Sequence, residues 1–191
     1  MSPPSCKAKL SFLTPIYKDA KTVKILAFFF QIFYNSAMDL EVSVGKTLHE
    51  KNKTLAVAES CTGGMISNRL TNVSGSSGYF LGGVVSYSNK IKEDVLGVSH
   101  RSLQKYGAVS RQVAAEMVKG MRHLAGSDIA LSVTGIAGPG GGTRSKPVGL
   151  VYIALSTNNK QVVKKFLFKG SRKKIKSLAA DAALRLVCVH L

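Results

Sequence analysis

Apolar residues at Leu40, Val44 and Leu48 recur every fourth position, which places them on one face of a helix. Thr54-Leu55-Ala56-Val57-Ala58 follows as a short buried strand, ending at Glu59-Ser60. Gly63-Gly64, then Met65, Ile66 and Leu70, predicts a helix start, so Ser60 falls in a strand-to-helix turn. Phe80 to Tyr87 reads as a second strand interrupted at Gly82-Gly83. Ser110 suits the N-cap of a helix carrying Val113, Met117 and Met121 on one face, with Gly126 as its stop. Ile129 to Val133 is a strand feeding the loop Gly135 to Pro147, and Val148–Leu155 and Val162–Phe168 pair as a hairpin across Thr157-Asn158-Asn159. A closing helix runs from Ser171, with Ile175, Leu178, Ala182 and Leu186 inward. Helices alternating with strands and then a hairpin define the α/β class: a three-layer α/β/α sandwich with a mixed sheet, one domain over residues 38–191.

Residues 1–37 break this pattern, with Pro3-Pro4, scattered lysines and the apolar run Ile25 to Phe33. That run is too short to span a bilayer. The expectation is a leader or N-terminal extension ahead of the domain that opens at Met38. The 191 residues, 45% hydrophobic, suffice for one buried core, and the glycines cluster between Gly135 and Gly149 without a fixed period. Cys6, Cys61 and Cys188 form no paired framework, and no Cys or His spacing fits zinc. A reducing cytoplasm without metal or cofactor is therefore expected. His49, His100, His123 and His190 read as solvated side chains.

The net charge of +17 raises nucleic acid as a partner. Its distribution weakens that reading. Five bases meet one acid in residues 1–37, thirteen meet eight in 38–159, and nine meet one in 160–191, so the excess gathers at the ends. No ladder of aromatics interleaves the bases, and a solvated lysine-rich face accounts for the charge.

Ser60, beyond the carboxyl end of a strand, can project its hydroxyl into a cleft near backbone N–H groups able to hold an oxyanion. Gly63 and Gly64 would let a planar ligand approach the backbone. Equally, Ser60 can serve only as the N-cap of the helix. Cys61 is a rival nucleophile, because a helix N-terminus lowers a thiol's pKa, yet no histidine accompanies it in a recognisable motif. Gly45-Lys46-Thr47 is not a phosphate loop, since Leu40 stands where the first glycine is required. Consecutive small residues in 135–147 can present N–H groups to an anion.

The segments Ala58-Glu59-Ser60-Cys61-Thr62-Gly63-Gly64, Tyr87-Ser88-Asn89-Lys90-Ile91-Lys92, Gly107-Ala108-Val109-Ser110, Val133 to Pro139 and Lys146-Pro147-Val148-Gly149 occur in an order that resembles the nicotinamide-nucleotide amidase family, also called the CinA C-terminal domain. The resemblance runs from about Leu40 to the C-terminus. It implies hydrolysis of nicotinamide mononucleotide to nicotinate mononucleotide and ammonia in pyridine nucleotide salvage, without metal. It further implies Ser60 as nucleophile and Lys92, not Lys90, as base, with Tyr87 relaying a proton or packing as a strand aromatic, and Thr134 offering its hydroxyl. Cys61, Thr62, Gly63, Gly64 and Gly135 would contact substrate. Arg172, in Phe168-Lys169-Gly170-Ser171-Arg172, would hold its phosphate, although Ser171 stands where the family carries an acid. The expected partners are a small nucleotide substrate and further copies of the chain as a homo-oligomer, with neither nucleic acid nor membrane. The alternative is a catalytically silent relative that binds nucleotide or nucleic acid through its basic surface.

Overall fold

A computed structural model of the chain describes residues 39–191, and the expectation for residues 1–37 lies outside them. Helix α1 (Leu40–Glu50) leads into β1 (Leu55–Glu59), whose five residues are all buried. Strands β2 (Phe80–Val85) and β3 (Ile129–Gly135) flank β1, both parallel to it, while β4 (Leu150–Ser156) and β5 (Gln161–Leu167) continue antiparallel beyond β3. The resulting five-stranded sheet has the order β2-β1-β3-β4-β5 and is mixed. A strand covered on both faces needs a continuous apolar run, which Leu55-Ala56-Val57-Ala58 supplies.

Helix α5 (Arg111–Ala125) lies on one face of this sheet. Its Val113, Ala114, Met117, Val118 and Met121 meet Ala56, Ala58, Ala130 and Ala154. These strand residues are small and alternate in sequence with larger ones, so the helix approaches closely on their side. The Ser132 hydroxyl, on the same face, donates to the Ala114 carbonyl at 2.7 Å and ties the helix to β3. Helix α6 (Arg172–His190) packs against β3, β4 and α2 (Met65–Thr71) on the other face, burying Ile175, Ala179, Ala183 and Leu184. Arg69 of α2 joins Glu41 of α1 and Asp181 of α6 by ion pairs of 2.7 and 2.6 Å, stitching the three helices of that layer.

The caps follow the sequence closely. Ser110 accepts from the Val113 N–H at 3.3 Å and Gly126 closes α5; Ser171 accepts from the Lys174 N–H at 3.4 Å at the head of α6. Three boundaries differ from expectation. The strand expected to reach Tyr87 ends at Val85, because Ser86 donates to the Glu59 carbonyl at 2.8 Å and the chain then turns to let Ser88 cap a helix. Gly82-Gly83 does not interrupt β2; the register instead skips one residue, so that Leu55 opposes Phe80 and Ala56 opposes Gly82. Strand β4 starts at Leu150 and not at Val148.

Two short helices between β2 and α5 have no counterpart in the sequence pattern: α3 (Asn89–Asp94), capped by Ser88, and α4 (His100–Tyr106), capped by Ser99. At six and seven residues they are too brief for a 3.6-residue period to register. The segment joining them crosses α5 at Gly120, where a β-carbon would stand 1.7 Å from the Leu96 carbonyl oxygen. Any side chain at that position would therefore displace the backbone that follows α3.

Candidate active site

Strand β1 ends at Glu59, and the turn 60–63 departs from the carboxyl edge of the parallel strands. The Glu59 carboxylate, fully buried, curls over this turn. One oxygen accepts from the N–H groups of Gly64 and Ile66 at 3.0 and 3.2 Å, the other from the Ser67 N–H and hydroxyl, both at 2.8 Å. The N-terminal donors of α2 are thus taken by a carboxylate that also complements the helix dipole. The residue preceding α2, Gly64, has no side-chain cap. Ser60 therefore does not cap the helix, and its hydroxyl is available for other work.

That hydroxyl lies 3.1 Å from Lys92 Nζ. Lys92, on α3, is 1% exposed, and its amine also donates to the Ser86 carbonyl at 2.6 Å. No carboxylate pairs with it among the described residues. Burial pushes its pKa below the ordinary lysine value, with a smaller opposing contribution from Cys61. A neutral amine can keep its N–H bond to Ser86 and turn its lone pair to the serine O–H. Such an arrangement removes a proton from the hydroxyl as it attacks.

Cys61 sits beside this pair but is buried, and its thiol is pushed up to about 11, chiefly by burial. At neutral pH it is a protonated, poorly nucleophilic thiol. The N–H groups of Cys61 and Thr62 donate to no acceptor among the described residues, unlike those of Gly63 and Gly64. Of the two, Cys61 lines the cleft, and its N–H is the donor left for an oxyanion, a role the helix start itself cannot play once Glu59 has taken its N–H groups. Thr62 is fully buried, and its Oγ1 has no hydrogen-bond partner among the described residues.

Ser60, Cys61 and Lys92 open onto a cleft of about 260 Å³ that is also lined by Thr134, Gly135, Tyr87 and Arg172. Thr134 is held by a 2.9 Å bond from its hydroxyl to the Ala108 carbonyl. Tyr87 is 60% exposed, so it is not a core aromatic; its hydroxyl accepts from Arg172 at 2.7 Å, while the Lys92 amine bonds Ser60 and Ser86. Arg172 also donates to the Gly138 carbonyl at 2.5 Å, which sets a guanidinium at the rim between the glycine-rich loop and Tyr87. Thr62, Gly63 and Gly64 do not line the cleft; the two glycines take positive φ values of 61° and 89° that let the turn reach α2.

Sequence reasoning missed the roles of Glu59, the Ser86 carbonyl and the cleft wall at Ala108-Val109, whereas the glycine-rich loop it read as ligand-facing does line the cleft from Gly135 to Gly138. An acid closing an apolar strand just ahead of a helix without a Ser or Asp cap was a readable sign of the first. A larger hollow, about 670 Å³, lies elsewhere, but it contains no nucleophile paired with a base. Among the described residues, no group of three or more His, Cys, Asp or Glu side chains is arranged to hold a metal ion, and no helix is long and apolar enough to cross a membrane.

The family model of the CinA C-terminal domain matches residues 37–191. The chain belongs to this family. It is 54% identical over 148 residues to a CinA-like protein of Desulfotalea psychrophila, covering 78% of this chain and 36% of that protein. It is 51% identical over 145 residues to a CinA-like protein of Geobacter sulfurreducens, covering 76% and 35%. The chain thus spans little more than a third of the length of these relatives. Among solved structures it resembles the competence/damage inducible protein CihA from Agrobacterium tumefaciens, with a TM-score of 0.78 at 37% identity over 79% of this chain and 93% of that one. A CinA superfamily protein from Escherichia coli gives 0.76 at 32% identity over 79% and 88%. The mixed α/β sheet is therefore the fold of the CinA C-terminal domain.

Proposed function

We propose that this chain is an amidohydrolase that deamidates nicotinamide mononucleotide to nicotinate mononucleotide. The observation that carries the reading is a buried amine, free of any carboxylate partner among the described residues, 3.1 Å from a serine hydroxyl at the floor of a cleft. A carboxamide is a poor electrophile, so its hydrolysis needs an activated nucleophile, oxyanion donors and a proton for the departing nitrogen.

Each requirement has a candidate. Ser60 Oγ attacks the amide carbon while its proton passes to Lys92 Nζ. The carbonyl oxygen becomes an oxyanion facing the Cys61 N–H group. The C–N bond then breaks as Lys92 returns the proton to nitrogen, releasing ammonia and leaving an ester on Ser60. Water, deprotonated by the again neutral Lys92, attacks that ester; nicotinate leaves and Ser60 recovers its proton. Arg172 at the rim suits the phosphate, and the exposed Tyr87 ring suits the positively charged pyridinium of the substrate.

A coupled assay for ammonia, run with nicotinamide mononucleotide, tests the reading. Release is expected from the parent protein and from Cys61→Ala, and is expected to fall by roughly 10³-fold in Ser60→Ala and Lys92→Ala. Activity that survives Ser60→Ala but disappears in Cys61→Ala would transfer the nucleophile to the thiol. A parent protein without turnover would favour the silent binder.

A further inference from the structure

A hollow larger than the cleft lies at the end of the sheet opposite it. It is framed by the last turns of α5, the residues that follow it and the β4–β5 hairpin: Lys119, Arg122 and His123 from the helix, Ser127 just after it, and Asn159 and Lys160 from the hairpin. Ser127 precedes β3 and Gly135 ends it, so the two sites are separated by the length of that seven-residue strand, about 23 Å at 3.3 Å per residue.

Three features point to a ligand. Lys119, Arg122 and Lys160 face the hollow without a carboxylate partner among the described residues, and no acidic residue lines it. Cations gathered without an acid repel one another until an anion enters. Ser127 is 5% exposed, and its buried hydroxyl has no hydrogen-bond partner among the described residues. A buried hydroxyl left unbonded costs free energy that a ligand oxygen would recover. The volume, about 670 Å³, falls within the range of small-molecule sites. No Phe, Tyr or Trp lines the hollow, and its polar lining is dominated by the cations and hydroxyls that recognise an anionic group.

We propose that this hollow is a second binding site, for a small molecule bearing phosphate or pyrophosphate, with Arg122 and Lys160 as the principal cations and the Ser127 hydroxyl donating to a phosphate oxygen. The proposal does not depend on the chemistry assigned to Ser60.

Calorimetric titration of the full chain with inorganic pyrophosphate, and separately with adenosine monophosphate, tests it. Pyrophosphate is expected to bind with an affinity that falls at least tenfold in Arg122→Ala/Lys160→Ala and severalfold in Ser127→Ala, while Lys46→Ala/Lys90→Ala leaves it nearly unchanged. All these variants are checked for an unaltered thermal transition; the paired substitution lies at the surface and leaves the core intact. Adenosine monophosphate binding as tightly as pyrophosphate, with the same losses, would identify a phosphate monoester as the sufficient group; weaker binding would identify the diphosphate. Three results would overturn the proposal: no binding of either probe at millimolar concentration, binding lost in Arg172→Ala and retained in Arg122→Ala/Lys160→Ala, or an equal loss in Lys46→Ala/Lys90→Ala, two exposed lysines elsewhere whose removal changes the net charge by the same amount.

Discussion

Two junctions at the carboxyl edge of the sheet, the one after β1 and the one after β2, each bury a charged residue type within reach of Ser60. At the first, Glu59 has four donors around its two oxygens. At the second, Lys92 has two neutral acceptors and no counter-charge among the described residues. A carboxylate so fully bonded serves to build the turn. An amine so poorly compensated is driven towards its neutral form and gains a usable lone pair. The same degree of burial thus yields scaffolding on one side and reactivity on the other, the difference being the count of bonds offered to the charged state.

Substitutions separate the two roles, beginning with the largest effect. Lys92→Met, which keeps length and loses the lone pair, should cut kcat/KM for ammonia release by about 10³-fold while the protein still unfolds cooperatively, no earlier than the parent. Glu59→Ala should act on folding: with three helix N–H groups orphaned, a loss of about 3 kcal/mol is expected in urea unfolding. If both variants unfold alike, or both fold and are inactive alike, the contrast between the junctions collapses.

A pH series sharpens the comparison. Because folding depresses the Lys92 pKa, the unfolded chain binds more protons between the folded pKa and the ordinary value of 10.5. The penalty of burying the ammonium is complete below the folded pKa and disappears as pH rises to the unfolded one. Lys92→Met lacks it, so its stability relative to the parent should be greatest at low pH and decline towards pH 10, by about 1.4 kcal/mol per pKa unit of depression. The same depression predicts kcat/KM rising with pH along a limb centred below 10.5. The smallest effect belongs to Cys61→Ala, expected to keep kcat/KM within about threefold, because the thiol it removes is protonated at neutral pH.

Legibility from sequence followed length and locality. Helix α5 was readable from Ser110 to Gly126 because fifteen residues repeat a single apolar face between two local caps. The hairpin was readable from its turn residues. Helices α3 and α4 were not, since each is held by one serine cap and by packing against distant residues. At the site, Ser60 stood out by its place in the turn and Lys92 only through family resemblance: a lysine in Lys90-Ile91-Lys92 looks solvated, and it is buried where the chain leaving β1 at Ser60 meets the chain leaving β2 at Ser86. Glu59 was hidden for a similar reason, its four donors lying up to eight residues ahead and converging only when the turn closes.

The crossing at Gly120 gives α5 a hold over the lysine from behind. Val98 donates to the Lys92 carbonyl at 3.0 Å, so Leu96, two residues before it, belongs to the short span that anchors the last turn of α3. Adding one methyl group at position 120 would push on that span, and the lever ends at the backbone that carries the Lys92 amine. Damage of this kind would show as a misaligned proton acceptor in a molecule whose cleft walls are otherwise untouched.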